Sequence, residues 1–253
     1  MRRLIVQKET IIDDRIHITD KEDISYLFSV LRMSEGESLL VSDGEGNAWE
    51  TRIEQISRGG IELRIVSGLP AENGEGVRIT LYQGLPKGSK MEDLVRKSTE
   101  LGVFQIAPVS TARSIPGEAG VSAAKVERWR RIAKEASRQA RRLHVPKVTD
   151  VMKFSEAVKE LEDGAYDLIL ALFELEEERT LKQALREFKS VSSAENDVKS
   201  IAVFIGPEGG FEREEVDLVK SRGGVSVTVG NTILRTETAG PAAVAMILYE
   251  LEL

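Results

Sequence analysis

Cysteine is absent from the 253 residues, which excludes disulfides and thiolate chemistry. Histidine occurs only at His17 and His144, too few for a histidine-rich metal site, and no metal is expected. No apolar run approaches the length needed to cross a bilayer, so no membrane partner is expected either. The basic start Met1-Arg2-Arg3 leads into only Leu4-Ile5-Val6 before Gln7 and Lys8, too short for the apolar core of a secretory signal. A cytoplasmic location is therefore expected. Two phosphate-binding signatures are missing as well. The glycines at 206–210 are not followed by Lys-Ser or Lys-Thr, and they fail G-x-G-x-x-G, which disfavours a P-loop and a nicotinamide enzyme.

The composition that remains, 41% apolar and 30% charged, is that of a folded globular chain, long enough for one large domain or two small ones. The net charge of -7 is unevenly spread. Lys125 to Lys147 holds nine Lys or Arg and two Glu, a local balance of 9 − 2 = +7, which leaves −14 for the rest. Within it Trp129, Ala133, Ala136, Ala140 and Leu143 form an apolar helical stripe. Arg131, Lys134, Arg138, Arg141 and Arg142 cluster on the opposite face, with only Glu127 and Glu135 to pair locally. Such a concentrated basic face in an acidic chain points to a polyanion partner.

The chain changes rhythm near residue 72. Before it, short β-prone runs at Arg3–Val6, Arg15–Ile18, Ser38–Val41, Ala48–Ile56 and Ile61–Val66 are separated by turn signals, with a short helix possible over Glu22–Leu31. This reads as a small all-β barrel over residues 1–72. Pro70 to Gly76 is polar and glycine-rich, as a linker is. From 73 to 253 strands alternate with helices. Strands are expected at Val77–Gln83, Phe104–Val109, Leu168–Leu172, Ala202–Ile205 and Ser226–Val229, and a helix carrying Met91, Leu94, Val95, Ser98 and Leu101 ends at the cap residue Gly102. Almost purely apolar strands of this kind predict an α/β domain with a mostly parallel sheet covered on both faces.

Three strand ends carry chemistry. Ala202–Ile205 runs into Gly206-Pro207-Glu208-Gly209-Gly210, and a glycine-rich turn there lets a ligand approach the backbone. The strand ending near Val229 is followed by Gly230, and after it come Ile233-Leu234-Arg235-Thr236-Glu237-Thr238. Thr238 would cap a closing helix with Pro241 in its first turn, leaving Arg235 and Glu237 just before it. Leu172-Phe173-Glu174 supplies a third wall. A pocket with apolar walls such as Leu172 and Ile233, backbone amides and carbonyl oxygens suits an adenosyl sulfonium.

Gly206 to Phe211 followed by Ile233 to Ala239 resembles the SPOUT methyltransferases, and more narrowly the bacterial 16S ribosomal RNA (uracil-N3)-methyltransferase family. Leu85 to Met91, Lys97 to Val103, Glu127-Arg128-Trp129, Glu135 to Arg141 and Val30 to Met33 agree, so the resemblance covers essentially the whole chain. Leu4 and Ile5 stand where the family prefers aromatics, and Glu212 replaces a small polar residue. The resemblance implies a PUA-like RNA-binding barrel and a SPOUT domain whose cofactor loops form a deep trefoil knot. It further implies a homodimer and an S-adenosylmethionine-dependent transfer to N3 of a uridine in 16S ribosomal RNA or the small ribosomal subunit. Expected cofactor-binding residues are Leu172, Phe173, Glu174, Gly206, Pro207, Glu208, Gly209, Gly210, Val229, Gly230, Ile233 and Leu234. Arg235 is expected to stabilise charge on the uracil oxygens, and Glu237 to act as base or to orient Arg235. Arg3, Arg32, Lys87, Lys90, Arg113, Arg138 and Arg142 are the candidate RNA contacts. A SPOUT enzyme acting on a ribose 2′-hydroxyl, or a non-enzymatic RNA-binding assembly factor, would share much of this pattern.

Overall fold

The computed structural model describes residues 2–57, 59–70, 76–115, 120–162, 164–191 and 198–252. Residues 71–75 of the expected linker lie outside that set. The chain forms two compact units: Met1–Gly74 with Ser137–Val145, and Glu75–Ala136 with Pro146–Leu253.

In the first unit β1 (Arg3–Ile5), β2 (Ile11–Ile12), β3 (Arg15–Ile18), β4 (Ser38–Ser42), β5 (Ala48–Ser57) and β6 (Gly60–Leu69) form one sheet in the order β1-β4-β5-β6-β3-β2. Alternation decides which side is buried: in β3, Ile16 and Ile18 point inward while Arg15 and His17 stay exposed. Helix α1 (Lys21–Ser25) is capped by Asp20, which accepts from the Glu22 and Asp23 amides, and runs on as a π-helical turn over Tyr26–Val30. Leu4, Ile16, Leu27, Leu39, Ile53 and Leu63 make the core.

The segment Ser137–Val145 belongs to this unit, a placement absent from the sequence reading. Leu143 packs with Leu40 and Ala48, the Val145 amide donates to the Gly44 carbonyl at 2.8 Å, and Arg3 donates to the Arg141 carbonyl. Arg138 pairs with Asp23 and lies over the Tyr26 ring at 4.9 Å, with the two charged side chains only 10% and 6% exposed.

The second unit holds β7 (Val77–Gly84), α2 (Lys90–Leu101), β8 (Gln105–Ser110), α3 (Ala123–Gln139, whose last turn falls in the first unit), β9 (Lys147–Val148), β10 (Met152–Lys153) and α4 (Phe154–Lys159). It continues with β11 (Leu168–Leu172), α5 (Leu181–Val191), β12 (Lys199–Ile205), α6 (Arg213–Lys220), β13 (Val225–Val227) and α7 (Thr236–Glu252). The sheet order is β10-β8-β7-β12-β11-β13, with β9 also on β8, and every pairing is parallel. Tyr82 and Phe204 stack at 4.4 Å in its core, joined by Phe154 and Phe211. Gly102 ends α2 at φ 110, the left-handed cap expected of it.

Three expectations are corrected. Helix α3 stops at Gln139, so Ala140 is exposed rather than part of a buried helical stripe. A partner from a distant element also reaches its basic face, where Arg138 meets Asp23, and beside that face Arg128 meets Glu92 and Arg130 meets Asp150 as well as the local Glu127. Helix α7 begins at Thr236, two residues before the expected cap, so Glu237 lies in its first turn and Pro241 inside it.

Candidate active site

Register brings the strand ends together. Leu172 of β11 pairs with Ile205 of β12 and with Val227 of β13, and Ile205 pairs with Gln83 of β7. Loops leaving these four strands must therefore start side by side at the carboxyl edge of the sheet, where open α/β sheets bind ligands. There the loops after β11, β12 and β13, with Lys90 at the start of α2, line one cleft of about 900 Å³, within the size range of small-molecule sites.

One wall is Leu172, Phe173 and Glu174; the floor is Gly206 to Gly210; the far wall runs from Val229 and Gly230 to Ile233 and Leu234. Ile205, Thr236 and Ala239 line it as well, though the strand-end glycine pattern gives no signal for them. Two backbone positions need glycine. Gly210 has φ +68, and a Cβ there would sit 1.8 Å from Glu174 Oε1; a Cβ on Gly206 would lie 2.9 Å from the Gly210 carbonyl carbon.

The loops are latched by a buried hydrogen-bond chain that crosses three elements. Gln83 Nε2, fully buried at the end of β7, donates to Thr236 Oγ1 at 2.8 Å and to the Gly84 carbonyl at 2.9 Å. Thr236 Oγ1 in turn donates to the Gly206 carbonyl at 2.6 Å. The Arg235 carbonyl accepts from the Thr238 and Ala239 amides, both at 2.8 Å, so Arg235 stands at the helix start with its side chain toward the cleft. Its guanidinium has no hydrogen bond or ion pair among the described residues, and no contact joins it to Glu237.

Lys90, expected as an RNA contact, lines this cleft. Its Nζ lies 2.8 Å from Glu208 Oε1 and 3.7 Å from Glu237 Oε2. The hydrogen bond to Glu208, with Glu237 adding charge, holds the Lys90 ammonium above its ordinary value. Partial burial pushes the Glu208 carboxyl up, but Lys90 and the backbone amides of Glu208 and Lys87 outweigh it and hold the group below the usual carboxylate value. Glu237 Oε2 is buried without a hydrogen bond. On the opposite wall Glu176 accepts from Ser226 Oγ and from the Glu178 and Arg179 amides, and its carboxyl is held low, first by Ser226.

The other basic candidates are dispersed. Lys87 is exposed and gives its backbone amide to Glu208. Arg113 donates to the Gly209 carbonyl at 2.8 Å and has Glu212 at 3.9 Å. Arg32 is exposed at φ 52, and Arg142 is half-buried. Arg138 is spent on Asp23, a structural pairing that leaves little of it for a ligand.

A parallel sheet with a glycine-floored cleft at its carboxyl edge, in a chain that also carries a separate β unit, defines a cofactor-binding α/β enzyme with a second module. An RNA methyltransferase domain profile matches residues 73–248, and an RNA methyltransferase PUA domain profile matches residues 18–66. The chain belongs to this family of RNA methyltransferases. It is 30% identical over 92% of its length to the ribosomal RNA small subunit methyltransferase E of Bacillus subtilis, covering 89% of that protein. It is 31% identical over 99% of its length to the namesake from Synechocystis, covering 78%. Among solved structures, the Neisseria gonorrhoeae ribosomal RNA small subunit methyltransferase E bound to S-adenosyl methionine superposes with TM-score 0.78 at 28% identity, covering 98% of this chain and 96% of that one.

Proposed function

We propose that this protein is an S-adenosylmethionine-dependent methyltransferase that modifies N3 of a uridine in 16S ribosomal RNA of the small subunit. The observation that carries the reading is the single cleft into which the loops after β11, β12 and β13, Lys90 at the start of α2 and the unpaired Arg235 converge. Its chemistry fits the cofactor: glycines at 206 and 210 leave backbone open to close approach, Leu172, Ile205 and Leu234 offer apolar walls, and carbonyl oxygens sit at the strand ends. When bound, S-adenosylmethionine supplies a methyl group on a cationic sulfur. The residues of the chain then have to orient the base, exclude water and favour loss of the N3 proton. Arg235 stabilises negative charge on the uracil oxygens; Glu237 is the candidate acceptor, since no contact supports its orienting Arg235.

Residues 1–72, completed by 137–145, form the PUA-like RNA-binding part, and 73–253 the SPOUT part, with Arg3, Arg32, Lys87, Arg113 and Arg142 as surface contacts to RNA. The knotted arrangement of the cofactor loops rests on the family resemblance, and the latch from Gln83 through Thr236 to Gly206 would hold those loops together. Exposed Tyr249 and Met246 on α7, with Ile233 at the cleft wall, support a homodimer. No helix among the described residues is long and apolar enough to cross a membrane; a cytoplasmic location is part of the proposal. Mapping methylated nucleotides by mass spectrometry in ribosomal RNA from cells lacking the protein tests the reading. Loss of one N3-methyluridine is expected; an unchanged map, or loss of a ribose methyl, overturns it.

A further inference from the structure

The cleft carries more negative than positive charge. Among the described residues that line it, the carboxylates are Glu174, Glu176, Glu177 and Glu208, and the cations are Lys90 and Arg235. Lys90 and Glu208 satisfy each other at 2.8 Å, so the surplus lies in the loop after β11, which presents Glu174, Glu176 and Glu177. This is not a loose charge run. Glu176 is anchored by Ser226 Oγ and by the Glu178 and Arg179 amides, contacts that hold its carboxyl low and keep it ionised. Glu174 lies across the glycine floor, its carboxylate oxygens falling where a Cβ on Gly210 would stand. Glu174 and Glu177 are exposed and have no hydrogen bond or ion pair among the described residues. An acidic wall of this kind repels a polyanion such as RNA, so its complement is a cation held in the same cleft.

We propose that this wall, Glu174 foremost, selects the charged cofactor over its neutral product, so that methyl transfer itself weakens the hold on what remains in the cleft. The ammonium and carboxylate of the methionine part of S-adenosylmethionine cancel, and the sulfonium leaves it one positive charge. On transfer the electron pair of the S–CH3 bond stays on sulfur. The lone pair of the accepting atom forms the new bond to the methyl group, and that atom's proton passes to the base, Glu237 in the reading above. S-adenosylhomocysteine is therefore left with no net charge, while Glu174, Glu176 and Glu177 keep theirs. One carboxylate acting across a partly solvated cleft gives a preference of about fivefold. The inference rests on the S-adenosylmethionine-dependent reading, but not on uridine as the target.

The test uses full-length protein and titration calorimetry with S-adenosylmethionine and with S-adenosylhomocysteine, without RNA. Wild type is expected to bind S-adenosylmethionine about tenfold more tightly at low salt, and the ratio to narrow in about 1 M salt as the charges are screened. Glu174→Gln keeps the shape of the side chain and removes its charge. It is expected to lower the ratio about three- to fivefold, chiefly by weakening S-adenosylmethionine, and Glu177→Gln to lower it in the same direction. Glu178→Gln makes the same change in the same loop at a residue outside the cleft lining, and is expected to leave the ratio as it was. A wild-type ratio at or below one, a ratio insensitive to salt, or one unchanged in Glu174→Gln overturns the proposal. An equal fall in Glu178→Gln does so as well, because the charge would then be read from the whole surface. So does equal weakening of both ligands in Glu174→Gln, which would show that the residue holds the ammonium they share. Wild-type protein that binds neither ligand overturns the methyltransferase reading and the proposal with it.

Discussion

At the scale of single residues, Arg235 is the side chain the cleft leaves without a partner. A buried or paired arginine would be committed to the fold; this one is exposed and lines the cleft. Replacing it with alanine is expected to slow single-turnover methyl transfer about 10²–10³-fold with cofactor affinity retained. A near-normal rate removes it from the mechanism. Thr236 has a different job. In Thr236→Val the Gln83 amide and the Gly206 carbonyl lose a partner in a dry site, and denaturant titration should register a loss of about 1–3 kcal/mol. The glycine floor and Arg235 were legible in the sequence because a strand followed by glycines announces itself locally. Gln83, Thr236 and the inward placement of Lys90 were not, since each depends on β7 lying beside β12, a pairing more than a hundred residues apart along the chain.

At the scale of elements, the strands that carry strong apolar or alternating patterns were readable: β3 and β11 match their expected bounds, and β5, β7 and β12 were found within a few residues. The two-residue strands β9 and β10 are too short to leave a period, and they exist only because β8 offers them an edge. The start of α7 was misplaced because Thr238 looks like a cap, whereas the chain turns helical as soon as Thr236 is tied to Gly206. Recruitment of residues 137–145 into the first unit was invisible for a similar reason, since Asp23 is far from Arg138 in sequence. That ion pair is buried, and truncating one partner strands the other. Arg138→Ala is therefore expected to cost about 3–5 kcal/mol in the first unit, and Arg138→Met with Asp23→Leu to recover most of it. Chemical denaturation of the single and double variants decides this; an additive loss would show that the pair is not what matters there.

Across the whole molecule, ionisable groups set the pH range of stability from both sides. Glu208 and Glu176 are held below the ordinary glutamate value of 4.5, so each binds its proton more weakly folded than unfolded. Their contribution is complete above 4.5 and fades as pH falls through the folded values. Tyr82 works in the opposite direction. Burial comes first, then hydrogen bonds to Tyr166 at 2.9 Å and Glu160 at 2.8 Å, and together they push the phenol far above 10.0. The folded protein therefore keeps a proton that the unfolded chain releases, and stability present below 10.0 is lost as pH rises beyond it. Melting temperature plotted against pH should be flat between these limits and fall outside them. Tyr82→Phe, which cannot ionise, is expected to melt lower at neutral pH because Glu160 and Tyr166 lose a partner, yet to decline less steeply above 10.0 than the wild type. Phenolate absorbance gives an independent readout, since the Tyr82 share should appear only as the protein unfolds. A variant whose alkaline decline is as steep as the wild type's would place the responsible group elsewhere.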